Sequence, residues 1–124
     1  MKKRALIVDD SSMMRQLIRT LLEKNGVEVV GAAESGKRAV ELYGTLKPDF
    51  VTLDMIMPEQ SGLQTLKQIR KMNPQAVVIM ISSLSAEDSA VVCTEAGASD
   101  YILKPFTEEQ VLAVLNKTVG LECV

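Results

Sequence analysis

The chain contains no histidine, and its two cysteines, Cys93 and Cys123, share no metal-ligand spacing. That combination argues against a zinc centre or a disulfide framework and leaves both cysteines as reduced, structural residues. Long apolar runs are also missing. No stretch approaches the roughly 20 residues of a membrane span, and the basic start, Met1-Lys2-Lys3-Arg4, leads into a run too short for a signal peptide. The expected location is the cytoplasm. An excess of either charge is lacking as well, since 14 basic residues face 16 acidic ones for a net charge of −2. Such a chain has no field for gripping nucleic acid or an anionic membrane, so neither is expected as a direct partner. Its 124 residues suit a single domain, residues 1–124, and leave no room for a second.

What is present is an apolar pattern that switches between short continuous runs and i, i+3, i+4 spacing, which predicts five strands alternating with five helices. Strands are expected at Arg4 to Val8, Val27 to Ala32, Phe50 to Asp54, Val77 to Ile81 and Tyr101 to Leu103. The first helix, about Ser12 to Asn25, would present Met13, Met14, Leu17, Ile18, Leu21 and Leu22 on one face and stop at Gly26. A second, Gly36 to Leu46, would bury Ala39, Val40, Leu42 and Tyr43 before Pro48. Ser61 caps a third carrying Leu63, Leu66, Ile69 and Met72, which Pro74 closes. Ser85 with Asp88 resembles a capping box for the fourth, which Gly97 ends. Thr107 with Gln110 forms a box for the fifth, whose apolar positions are Val111, Leu112, Val114, Leu115 and Val119. Strands this apolar are covered on both faces, which implies right-handed crossovers and a doubly wound parallel α/β sheet. Order 2-1-3-4-5, a three-layer flavodoxin-like sandwich, would set strands one and three side by side.

Acids mark the strand ends. Asp9 and Asp10 follow the first strand, Asp54 ends the third, and Lys104 follows the fifth. Ligands of an open parallel sheet bind outside the carboxyl ends of its strands, so these groups are expected in one pocket. Two unit charges about 4 Å apart repel by roughly 4 kcal/mol at an effective dielectric near 20, and Lys104 offsets only one of three. A hard divalent ion is therefore expected, and few carboxylates plus water suit Mg2+ better than Ca2+. An aspartate can itself accept a phosphoryl group while a metal and a lysine neutralise its oxygens. Asp54, alone at the end of a central strand, is the candidate nucleophile, and Asp9 with Asp10 the candidate metal holders. Turn and cap roles compete for each acid taken singly. Ser82 and Ser83 follow strand four, where a hydroxyl can reach a phosphoryl oxygen or simply form a turn. Tyr101 fits half-buried strand packing and gains significance only beside Ser82.

Four segments, Ile7-Val8-Asp9-Asp10-Ser11-Ser12, Val51-Thr52-Leu53-Asp54-Met55-Ile56-Met57-Pro58, Ile81-Ser82-Ser83 and Tyr101-Ile102-Leu103-Lys104-Pro105-Phe106, together resemble the receiver domain of two-component response regulators. The resemblance spans nearly the whole chain and is nearest to stand-alone, CheY-like chemotaxis regulators. It implies that Asp54 is phosphorylated by a sensor histidine kinase, in a signalling protein that catalyses only its own phosphorylation and dephosphorylation. Asp10, Asp54 and the Ile56 backbone carbonyl would ligate Mg2+, with Asp9 acting through water. Lys104 would pair with a phosphoryl oxygen, and the Lys104-Pro105 bond would be cis. Ser82 and Tyr101 would be the hydroxyl and aromatic switch residues. The family often has threonine at the position of Ser82, and serine keeps the donor. Ile56 and Leu84 are apolar where chemotaxis regulators carry polar groups, which bears on how fast the phosphoryl group is lost.

The resemblance further implies a downstream protein target bound through helix four, strand five and helix five, such as a flagellar motor switch or another chemotaxis component, and a monomer or weak dimer. The start Asp-Asp-Ser-Ser-Met-Met-Arg also resembles the receiver portion of chemotaxis methylesterases, so a receiver segment of a larger regulator, including a transcription factor, is an alternative. An interaction module that is never phosphorylated is another. Haloacid-dehalogenase-like phosphohydrolases also use an aspartate nucleophile but carry a second acid two residues later, where this chain has Ile56. A flavodoxin-like mononucleotide binder would need a phosphate-cradling first loop, and Asp9 and Asp10 repel phosphate.

Overall fold

The computed structural model describes residues 2–84 and 86–121, and side chains for all of these except 86–88. The capping box expected from Ser85 and Asp88, and Cys123, lie outside the described residues. Ten elements alternate: β1 (Arg4–Val8), α1 (Ser12–Lys24), β2 (Glu28–Ala33), α2 (Gly36–Leu46), β3 (Phe50–Leu53), α3 (Gly62–Met72), β4 (Val78–Ser82), α4 (Ala86–Glu95), β5 (Asp100–Leu103) and α5 (Glu108–Val119). All four strand pairings are parallel, and the order is β2-β1-β3-β4-β5 as expected. The central strands β3 and β4 are buried at every position, which is why they read as unbroken apolar runs rather than alternating ones.

Successive strand residues point to opposite sides, so the sheet divides the interior into two clusters. Leu6, Val8, Val51, Leu53, Val78 and Met80 face Ala39 and Tyr43 of α2, Leu66 and Ile69 of α3, and Cys93 of α4. Ala5, Ile7, Phe50, Ile79, Ile81 and Ile102 face Ile18 and Leu22 of α1 and Val111 and Leu115 of α5. The predicted punctuation is in place. Ser61 and Thr107 form complete capping boxes, and Gly26 and Gly97 take φ of 83° and 102° beyond the ends of α1 and α4.

Several expectations need correction. The apolar face of α1 is narrower than predicted: Ile18 and Leu22 are buried, but Met13 is 81% and Leu17 52% exposed. Neighbouring residues on a helix lie about 100° apart, and a helix resting on one sheet face buries only one of the two adjacent stripes. Met72, in the last turn of α3, is likewise exposed, while Thr65 on the same helix is fully buried. β2 and β4 each start and finish one residue later than predicted. No helix of the described residues is long and apolar enough to cross a membrane.

Candidate metal centre

The parallel ladder carries the acids together. β1 and β3 pair with Val8 opposite Leu53, so Asp9 and Asp54 leave adjacent strands at the same level. Ladder bonds persist one residue further, with the Asp54 N–H donating to the Val8 carbonyl at 3.0 Å and the Asp9 N–H to the Ala33 carbonyl at 3.1 Å. One carboxylate oxygen from each of Asp9, Asp10 and Asp54 lies within 4.8 Å of the others. Asp9 and Asp54 are buried and Asp10 is exposed. From the far side, the Lys104 N–H donates to the Ser82 carbonyl at 2.7 Å, which anchors the residue beyond the end of β5. Its ammonium then donates to Asp9 Oδ2 at 2.8 Å and stands 3.7 Å from Asp54 Oδ2. The Lys104-Pro105 bond is cis, as the resemblance implied.

Burial holds the Asp54 carboxyl above the usual carboxylate range. Asp9 and Asp10 push the same way, while the Lys104 ammonium and the Ile56 N–H, 3.4 Å from Oδ1, pull against them. Asp9 is immobilised: Oδ1 accepts from the Ser11 N–H at 2.9 Å and Oδ2 from Lys104. The Asp10 carboxylate has no hydrogen-bond partner among the described residues and is free to turn towards a ligand. Three carboxylates against one ammonium, with hard oxygen donors alone, fit a hard divalent cation such as Mg2+. Neither nitrogen nor sulfur donors contribute to the cluster, which disfavours softer metals.

Ser82 and Tyr101 sit beside this cluster rather than in it. Ser82, the last residue of β4, is fully buried, and its Oγ accepts from the Leu84 N–H at 3.3 Å. The half-buried Tyr101 packs against the α2–α3–α4 side of the core and donates its hydroxyl to the Leu84 carbonyl at 3.1 Å. Both switch candidates therefore meet at one loop residue. Ile56 follows Asp54 in the β3–α3 loop with its side chain 54% exposed at the site.

Sequence reasoning missed three supporting residues. The N–H of Gly62 donates to the Met55 carbonyl at 2.8 Å, and a Cβ at this position would collide with the Asp54 carbonyl oxygen and Met55 Cα. Gln60 donates to Thr65 Oγ1 at 2.9 Å and to Gln68 Oε1 at 3.0 Å, pinning the loop to α3. Arg15 donates from Nη1 to the Asp9 carbonyl at 2.6 Å. A glycine just inside a helix already capped by Ser61 was the one visible signal, because no cap requires it there.

Comparison with known proteins agrees with this geometry. The family model of the response regulator receiver domain matches residues 5–116. The chain is 45% identical over 120 residues to the chemotaxis protein CheY of Bacillus subtilis, covering 97% of this chain and 100% of that protein. It is 41% identical to a protein-glutamate methylesterase/protein-glutamine glutaminase of Alkalilimnicola ehrlichii, but over only 32% of that longer protein. Among solved structures, the CheX-CheY-BeF3-Mg complex of Borrelia burgdorferi superimposes with a TM-score of 0.91 at 32% identity, covering 97% of this chain and 90% of that one. The response regulator domain of Thermotoga maritima CheB gives 0.89 at 32% identity, covering 99% and 100%. A family match over nearly the whole chain, on a fold and acid cluster of the expected kind, shows that the chain belongs to the response regulator receiver domain family.

Proposed function

We propose that this protein is a phosphorylation-operated switch in which Asp54 accepts a phosphoryl group from the phosphohistidine of a sensor histidine kinase. The observation that carries the reading is Asp54 itself, a buried carboxylate with two further acids and the Lys104 ammonium gathered around it. Asp10, Asp54 and the Ile56 carbonyl would hold Mg2+, with Asp9 acting through water. When bound, the ion neutralises the oxygens of the incoming phosphoryl group. A carboxylate oxygen of Asp54 forms the new bond to phosphorus while the bond to the donor imidazole nitrogen breaks, its electron pair staying on nitrogen. Lys104 then pairs with one phosphoryl oxygen, drawn from its place between Asp9 and Asp54.

The output follows from Ser82 and Tyr101. Ser82 donates its hydroxyl to the phosphoryl group, and the β4–α4 loop shifts with it, because Leu84 is bonded to both residues. That movement biases the inward position of Tyr101 and reshapes the face built by α4, β5 and α5. A shallow groove on that face is lined by Tyr101, Ile102, Leu103, Pro105, Gln110 and Val114 and serves as the docking surface for the downstream target. Carrying a 1:99 equilibrium to 99:1 requires a preference of about 5.5 kcal/mol; one or two charge-assisted hydrogen bonds supply part of it, so the unmodified protein samples the active form. Full-length similarity to chemotaxis proteins favours a chemotaxis role for a single receiver unit in the cytoplasm.

The test is incubation with Mg2+ and acetyl phosphate followed by intact mass. One phosphoryl adduct on the wild-type chain and none on Asp54→Asn is the expected result. An adduct that persists in the variant overturns the assignment. Steady release of phosphate from an aryl phosphate would instead revive a hydrolase, which the apolar Ile56 argues against.

A further inference from the structure

Arg15 is the cation near the acids that the proposed function leaves without a task. It lies on α1, half-buried, and its guanidinium does not form an ion pair with any of the three carboxylates among the described residues. Instead Nη1 reaches back along α1 and donates to the main-chain carbonyl of Asp9 at 2.6 Å. That carbonyl belongs to the peptide joining Asp9 to Asp10. The plane of a peptide is rigid, so holding its oxygen holds the line of the next N–Cα bond and leaves rotation about that bond as the one backbone freedom that swings the Asp10 side chain. Asp9 needs no such help, because its N–H and both carboxylate oxygens are already engaged by Ala33, Ser11 and Lys104. Asp10 does need it: its carboxylate is exposed and has no hydrogen-bond partner among the described residues.

Resting on the metal-binding reading above, we propose that Arg15 is a positioning residue for divalent-cation binding, aiming the Asp10 carboxylate into the site by clamping the Asp9–Asp10 peptide. Arginine suits the task because its planar, permanently charged fork loses little freedom per hydrogen bond and cannot be deprotonated in the vicinity of acids. Two effects of the same side chain oppose one another. Clamping the peptide strengthens cation binding by preorganising a ligand, whereas the positive charge weakens it by repulsion. An exposed mouth screens the charge, since effective dielectric near a surface is high, while the peptide clamp is short-range and unscreened. The clamp therefore dominates, and the sign of the effect separates the two roles.

The experiment is a calorimetric Mg2+ titration of wild type, Arg15→Met, Arg15→Lys and Asp10→Asn, with thermal unfolding of each in EDTA. Removing the clamp should weaken Mg2+ binding about tenfold in Arg15→Met, within the usual range for residues that orient a metal ligand. Lysine keeps the charge and one donor on a flexible stem and should restore only part of the affinity. In 15N-labelled protein, the Asp10 amide resonance should shift in Arg15→Met before any metal is added. Unchanged or tighter Mg2+ binding in Arg15→Met overturns the inference, as does full recovery with lysine, which would leave the planar fork without a part in holding the peptide. Weakening in proportion to lost thermal stability, without the Asp10 amide shift, also overturns it. Absence of Mg2+ binding by the wild type would instead remove the metal reading itself, and the two failures are thereby told apart.

Discussion

At the scale of single residues, Asp54 combines two demands that conflict. A group that is to react must be held in a dry, crowded place, and burial together with Asp9 and Asp10 raises its pKa there. An acid whose folded pKa lies above its unfolded one binds more protons when folded, so stability falls as pH rises from the unfolded value to the folded one, and the penalty stands in full above that window. In metal-free buffer, Asp54→Asn should accordingly melt a few degrees higher than wild type at neutral pH, and the difference should shrink as pH falls through the carboxylate range. Differential scanning calorimetry from acid to neutral pH checks both halves. Gly62 makes the reverse case. Alanine there drives a methyl group into the Asp54 carbonyl, and the strain should cost on the order of 1–3 kcal/mol in urea unfolding while weakening Mg2+ binding through the displaced loop.

At the scale of elements, α1 offers a clean prediction because its two apolar stripes differ in burial. Leu22→Ala should cost about 2–5 kcal/mol, and Leu17→Ala, on the exposed stripe, within about 0.5 kcal/mol of zero, by chemical denaturation. The same helix shows what could be read in advance. Its presence, its end at Gly26 and the acids before it follow from local chemistry, whereas the choice between stripes depends on how the helix lies on a sheet formed from residues far along the chain. Asp9, Asp10, Asp54 and Lys104 were legible for a related reason: each sits at the end of an apolar run, and a parallel sheet sends all such ends to one side. Arg15, Gly62 and Gln60 were not, because their partners are main-chain atoms and side chains on other turns or elements. The link through Leu84 was also invisible, since neither Ser82 nor Tyr101 announces that it bonds to the loop between them.

At the scale of the molecule, a ligand that binds only the folded form adds stability by mass action. Mg2+ at 100 times its dissociation constant should add about 2.7 kcal/mol, read as a rise in melting temperature that is lost in a protein carrying both Asp10→Asn and Asp54→Asn. The division of the interior by the sheet has a different consequence. Among the described residues, the α1–α5 cluster and the α2–α3–α4 cluster have no buried side chain in common. Substitutions separated in this way combine additively, to within roughly 0.3–0.5 kcal/mol. Ile18→Val and Leu66→Ala should therefore sum when combined, whereas Leu66→Ala and Ile69→Val, in one cluster, should not. A protein assembled so can accumulate change among α2, α3 and α4 while the opposite layer, with α1 and α5, keeps its stability, which gives the two sides separate evolutionary histories within one small domain.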